Sequence, residues 1–209
     1  MTGKKQLSAW TSNFGSDYLE RNRDVSDADM LPRINGLAGL LRDCPESPDS
    51  ILEVGANIGR NLLAMHSLTD AKLYAVEPFA EAFEALNGLC GDFLADASQT
   101  SGDQLPHGDN SIDLVFTSGV LIHVAPDDLP GVMTEIHRVA RRYIWCNEYF
   151  AKQPEEIPYR GEAGLLFKRD FGRYYLELFP ELKPVATGFL WSATTPFDDT
   201  VWWLFEKPE

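Results

Sequence analysis

From Ser50 onward, short apolar runs alternate with stretches of helical periodicity, and that alternation leaves the chain few architectures. Strand-length runs over 51–54, 73–76, 112–117 and 143–148 are separated by helix-length patterns over 61–68, 81–89 and 129–140. Strands spaced in this way pair in parallel, because each connection must cross a face of the sheet and a helix is the usual crossover. The 129–140 pattern is the clearest, with Leu129, Val132, Met133, Ile136, Val139 and Ala140 on one helical face. A weaker strand is predicted over 90–94 and another helix over 173–179. The chain then ends in two strand-like stretches, 183–190 and 200–206. The segment 192–199 between them is too short for a crossover helix, so these two strands pair antiparallel.

Ahead of the first strand, Met30, Ile34, Leu37, Leu40 and Leu41 fall at helix spacing, and Pro45 and Pro48 then break the pattern. No internal repeat or low-complexity linker divides the chain. The expectation is a single α/β domain over 1–209, with a helical segment over 1–48 and a Rossmann-like core over 50–209.

Charge narrows the partners. Lys and Arg number 18 against 32 Asp and Glu, a net charge of −14, which repels nucleic acid and anionic membranes at long range. Solubility alone is the competing reading of that acidity. Cys44, Cys90 and Cys146 are widely spaced with no CxxC pair, which argues against a disulfide framework or a zinc site and for a reducing compartment. Lys4 and Lys5 precede polar residues instead of an apolar stretch, and no apolar run approaches the ~20 residues needed to span a bilayer. The expectation is a cytoplasmic protein with a small-molecule substrate and neither nucleic acid nor membrane as partner. The oligomeric state is not legible.

The first strand runs into Glu53-Val54-Gly55-Ala56-Asn57-Ile58-Gly59 and a helix follows. Ligands of parallel sheets bind at such strand ends. The glycines permit a sharp turn, and Asn57, where a second glycine is common, tolerates positive φ better than most residues. Glu77 closes the second strand, where a carboxylate accepts both ribose hydroxyls of an adenosine cofactor; a solvated loop acid is the competing reading. Hydride transfer by dinucleotides and methyl transfer by S-adenosylmethionine share this arrangement. The spacing here is not GxGxxG, and Glu53 opposes a pyrophosphate but suits a cationic ligand such as a methionine amine. That favours the methyl donor.

Three segments taken in order, ILEVGANIGRNL (51–62), LYAVEP (73–78) and DNSIDLVFTSGVLIHV (109–124), resemble the class I S-adenosylmethionine-dependent methyltransferases. WTSNFGSDYLERN (10–22), YRGEAGLLFKRDF (159–171) and VWWLFEK (201–207) resemble, more narrowly, the methylases associated with pseudaminic acid biosynthesis. The resemblance implies a seven-stranded, mostly parallel sheet with an antiparallel last strand, helices on both faces, and an N-terminal segment over the cofactor site. It implies S-adenosylmethionine as cofactor and S-adenosylhomocysteine as product. Gly55, Asn57 and Gly59 would line the methionine and ribose, Glu77 with Pro78 the ribose, and Asp96 and Ala97 the adenine. The loop after Asp96 runs longer than the family pattern. Thr117 and Gly119 would neighbour the cofactor, while Tyr18 and Arg21 reach the methionine carboxylate; an exposed surface arginine is the alternative for Arg21.

Methyl transfer from a sulfonium needs alignment more than activation. A hydroxyl or protonated amine as acceptor also needs a base. His123 is the leading candidate, since imidazole titrates near pH ~6.5, with Glu148 and Tyr149 as alternatives at the same sheet edge. No histidine has metal-ligand spacing, so no metal is expected. Tyr159, Arg160, Lys168 and Arg169 form a locally basic region suited to an anionic or sugar-acid group on the substrate, or else a helix start paired with surface acids. The reading is a small-molecule methyltransferase whose acceptor is a sugar acid, nucleotide sugar or amino-acid-like metabolite. A nicotinamide-dependent oxidoreductase and a non-catalytic S-adenosylmethionine-binding module remain as alternatives.

Overall fold

The computed structural model describes residues 26–159 and 161–208. Helix α1 (Asp27–Asp43) is capped by the Ser26 side chain, which accepts from the Asp29 backbone N–H. Strand β1 (Ser50–Val54) follows, then α2 (Arg60–His66), β2 (Lys72–Val76), α3 (Ala80–Cys90), β3 (Leu94–Ser98) and β4 (Ile112–Ser118). A 3-10 turn over Leu121–His123 leads into α4 (Leu129–Val139), and β5 (Ala140–Glu148) completes the parallel part. Two short strands, β6 (Glu155–Glu156) and β7 (Phe167–Lys168), form a separate antiparallel ribbon before α5 (Phe171–Leu178), β8 (Lys183–Leu190) and β9 (Thr200–Glu206).

The seven main strands form one sheet in the order β3-β2-β1-β4-β5-β9-β8. β1 through β5 pair in parallel, and β9 pairs antiparallel with both β5 and β8. The parallel alternation and the terminal hairpin therefore stand as predicted. One strand does not: the weak strand expected over 90–94 lies at Leu94–Ser98, and Cys90 ends α3. β3 is an edge strand mostly of small and polar residues, none fully buried and two of its five exposed, so its sequence carries no apolar run to mark it. The boundary after α4 also moves. Ala140, expected in the helix, opens β5 because it pairs with Ile112 of β4.

Both sheet faces are buried. On one, Leu52, Val54, Val115, Ile144 and Phe205 pack against α4 and α5 through Met133, Ile136 and Tyr175. On the other, Ile51, Leu114, Phe116, Tyr143 and Leu204 pack against α1, α2 and α3 through Leu37, Leu40, Leu62 and Leu86. Strands buried on both faces read as near-continuous apolar runs, which is why β1, β2, β4 and β5 were legible. Among the described residues, the turn after β1, Glu77 and the segment after β4 meet at the carboxyl end of the parallel strands. None of the helices among the described residues is long and apolar enough to cross a membrane.

Candidate functional site

The turn after β1 is bonded to the end of β2: the Gly55 and Ala56 N–H groups donate to the Val76 carbonyl at 2.7 and 3.0 Å. Three of its residues have positive φ, Gly55 at 76°, Asn57 at 50° and Gly59 at 86°. Asn57 occupies the left-handed region as its residue type allows. Glycine is required on steric grounds too, since a Cβ at Gly55 would meet Val120 at 2.6 Å and one at Gly59 would meet Cys90 Sγ at 2.5 Å. The turn is thus pressed between the 3-10 segment after β4 and the end of α3.

Two buried carboxyl groups flank it. Glu77, just past β2, accepts from the Asn57 N–H at 2.8 Å and the Phe79 N–H at 2.9 Å. Burial raises its pKa above the usual carboxylate value, against the pull of those two donors. Each carboxylate oxygen takes one backbone donor, which leaves acceptor capacity for two more hydrogen bonds. Pro78 is half-buried between Glu77 and Phe79.

Glu53, 2% exposed at the end of β1, accepts from Asn61 Nδ2 at 2.7 Å, and Asn61 Oδ1 in turn accepts from Arg33 Nη1 at 2.5 Å. The Arg33 guanidinium lies 4.7 Å over the Phe197 ring. This chain ties α1, α2, β1 and the loop before β9 together. The second oxygen of Glu53, Oε2, is buried without a partner, and burial pushes this carboxyl up to about 8. A group so placed gains from a cation beside it.

The segment after β4 is built on Glu148. That side chain is fully buried and accepts from the Val120 N–H at 3.2 Å and the Ile122 N–H at 3.3 Å. Burial raises it to about 7. Glu148 therefore shapes the 3-10 turn that carries His123. Gly119, at φ 69°, has no atom within 4 Å of where a Cβ would stand, so open space begins there. Thr117, by contrast, is buried beneath it.

His123 Nδ1 lies 2.7 Å from the Leu165 carbonyl, which assigns the proton to Nδ1 and leaves Nε2 in the basic form. Burial lowers its pKa to about 4. Its ring packs against Tyr159, centroids 5.3 Å apart. Tyr149 donates to Asp198 at 2.5 Å, and Lys168 Nζ sits 5.3 Å over the Tyr149 ring. The ribbon of β6 and β7 thus brings Tyr159, Leu165 and Lys168 to the same end of the sheet as His123 and Tyr149. Arg169 instead folds back over Phe171 and Tyr174 of α5, at 5.9 and 5.3 Å.

Asp96 and Ala97 lie inside β3, in register with Tyr74 and Ala75, so the level of Glu77 is reached at Ser98, whose carbonyl accepts the Glu77 N–H at 3.2 Å. Tyr18, Arg21 and Arg160 fall outside the described residues. Sequence reasoning missed Asn61, Arg33 and Phe197. Asn61 sits in the first turn of α2, where its spacing from Glu53 was visible; the other two reach the site only through tertiary packing.

Comparison with known proteins adds independent findings. Residues 52–143 match the family model described as a methyltransferase domain. No curated protein matches the chain significantly. Among solved structures, 1,6-didemethyltoxoflavin-N1-methyltransferase of Burkholderia thailandensis, with bound 1,6-didemethyltoxoflavin and S-adenosylhomocysteine, is 18% identical over 99% of this chain and 91% of that one, with a TM-score of 0.75. A SAM-dependent methyltransferase of Leishmania major is 17% identical over 98% of this chain and 82% of its own, also at 0.75. Magnesium protoporphyrin IX methyltransferase of Synechocystis PCC 6803, with bound SAM, is 13% identical over 100% of this chain and 98% of its own, at 0.72. At such identities the likeness establishes the fold. Over residues 52–143 the chain is thus similar to the methyltransferase domain, and the whole has the fold of these S-adenosylmethionine-dependent methyltransferases.

Proposed function

We propose that the chain is an S-adenosylmethionine-dependent methyltransferase acting on a small molecule. The observation that carries the reading is the pairing of a three-residue positive-φ turn with Glu77, whose carboxylate is held beside it by the Asn57 and Phe79 N–H groups. An adenosine ribose fits the remaining acceptor positions of Glu77. The methionine amine fits the unpartnered Oε2 of Glu53, and the open space at Gly119 lies between these and His123. S-adenosylmethionine, when bound, supplies an electrophilic methyl group that leaves its sulfur by in-line displacement.

The chain's residues do the rest. Glu53 balances cationic charge on the donor, and the 3-10 turn held by Glu148 positions His123. With Nδ1–H committed to Leu165, His123 Nε2 takes the proton from an acceptor hydroxyl or amine. Lys168, next to Tyr149, offers positive charge to an acidic acceptor. Together with the resemblance to methylases associated with pseudaminic acid biosynthesis, that cation supports a sugar acid or nucleotide sugar as substrate. Cytoplasmic location and a single functional domain over 1–209 complete the proposal.

Calorimetric titration with S-adenosylmethionine, S-adenosylhomocysteine and NAD tests it. Binding of both adenosyl ligands and not of NAD is expected; NAD binding in their place would return the reading to an oxidoreductase. Glu77→Ala is expected to weaken S-adenosylhomocysteine binding at least tenfold, the value of one charge-assisted hydrogen bond at about 1.5 kcal/mol. Unchanged affinity would remove the ribose from Glu77.

A further inference from the structure

Four side chains near the carboxyl end of the sheet hold buried polar atoms without a hydrogen-bond partner: Glu53 Oε2, Trp145 Nε1, Asn147 Oδ1 and Thr200 Oγ1. Strand alternation puts them on one face. Ile51, Phe116, Tyr143, Leu190 and Leu204 all belong to the layer under α1. Glu53, Trp145 and Asn147 share the parity of Ile51 and Tyr143, and Thr200 shares that of Leu204 and pairs with Leu190. Leaving a buried polar group unpartnered is unfavourable, and native folds carry few of them without a reason. The donor amine accounts for Glu53. It does not account for Asn147 and Thr200, which are 1% and 4% exposed and lie beyond Gly119, on β5 and β9.

The Asn147 amide bonds Ser118 Oγ through Nδ2 at 3.0 Å and leaves Oδ1 without a partner. Trp202, opposite Asn147 in the ladder, leans the other way: a Cβ on Gly188 of β8 would stand 2.7 Å from its indole. The ring therefore covers β8 and not the amide.

We infer that Asn147 and Thr200 bind the methyl acceptor, and that this acceptor is a polyhydroxylated or amino-hydroxylated small molecule. The amide oxygen of Asn147 accepts from an N–H or O–H on it, and the Thr200 hydroxyl, which both donates and accepts, pairs with a neighbouring polar group. The inference rests on the methyltransferase reading and names the acceptor chemistry of that same site.

Thr200→Val and Asn147→Leu remove the two groups at nearly constant volume. Three measurements are made on the full chain: the melting temperature without ligand, the S-adenosylhomocysteine affinity by calorimetry, and transfer of label from methyl-labelled S-adenosylmethionine to a deproteinised small-molecule extract of the source cell. For Thr200→Val the expected result is a melting temperature equal to or above wild type, because an unpartnered hydroxyl is gone. Affinity for S-adenosylhomocysteine stays within twofold, and labelling falls at least tenfold. Asn147→Leu is expected to show the same split between affinity and labelling; should it fail to fold, Thr200→Val decides alone. A melting temperature lowered by several degrees in Thr200→Val, a tenfold loss of S-adenosylhomocysteine affinity, or undiminished labelling each overturns the inference. A wild-type protein that binds S-adenosylhomocysteine and labels nothing overturns it as well, while one that does not bind S-adenosylhomocysteine overturns the parent reading.

Discussion

Gly59 is the residue at which the donor turn is least forgiving. Its φ of 86° lies where an L side chain is strained, and a methyl group would stand 2.6 Å from Leu86 Cδ1 as well as against Cys90. Gly59→Ala is expected to destabilise the protein by about 1–3 kcal/mol and to weaken S-adenosylhomocysteine binding, read by denaturant titration and calorimetry. His123 invites a different test. With its pKa lowered to about 4 it is neutral throughout the physiological range, so its titration should leave kcat at saturating donor flat from pH 6 to 8. His123→Ala is expected to lower kcat by about 10²–10⁴-fold if it is the base; a loss confined to KM would reassign it to substrate packing. The turn and Glu77 were legible because glycine, asparagine and acid occur at strand ends where backbone geometry demands them. The Arg33–Asn61–Glu53 chain was not, since no local pattern reveals which helix a buried acid will meet.

Among the elements, α4 shows how much the periodicity conveyed. Leu129, Val132, Met133, Ile136 and Val139 are all buried, as the shared helical face required. Ile136→Ala is expected to cost about 2–5 kcal/mol in urea or thermal unfolding, the usual toll of a core cavity. A cost under 1 kcal/mol would mean that the helix is only loosely docked. β3 marks the other limit. Its Leu-Ala-Asp-Ala-Ser sequence is a strand by virtue of pairing with β2, and edge pairing leaves no apolar signature. The β6–β7 ribbon was unreadable for the same reason, being held by Glu155 opposite Lys168 and Glu156 opposite Phe167 instead of by a hydrophobic face.

At the scale of the whole molecule, buried ionisable groups couple stability to pH. Burial raises Glu53 to about 8 and Glu148 to about 7, so the stability they contribute is complete below their unfolded value of 4.5 and lost as pH rises through 7 and 8. His123 has the opposite sign: its contribution is complete above 6.5 and lost as pH falls toward 4. Between pH 6.5 and 8 the buried carboxyls, Glu77 with its raised pKa among them, act in one direction, and the melting temperature without ligand should fall across that window. S-adenosylmethionine, placed beside Glu53 as proposed, is a cation that favours the ionised carboxylate. Its affinity should therefore rise over the same window by up to about tenfold per pH unit, with proton release seen by calorimetry in buffers of different ionisation enthalpy. An affinity independent of pH would show that Glu53 does not face the cationic end of the donor.

The reversal of strand direction between β5 and β9 divides the sheet into two parts. The segment matched by the methyltransferase family model stops at residue 143, within β5, and the antiparallel hairpin lies wholly beyond it. The hairpin and the parallel strands are joined along one ladder of hydrogen bonds, that between β5 and β9. On the proposed reading, mutation in the loop between β8 and β9, or at Thr200 where β9 begins, changes what is methylated while the turn after β1 goes on reading the same donor.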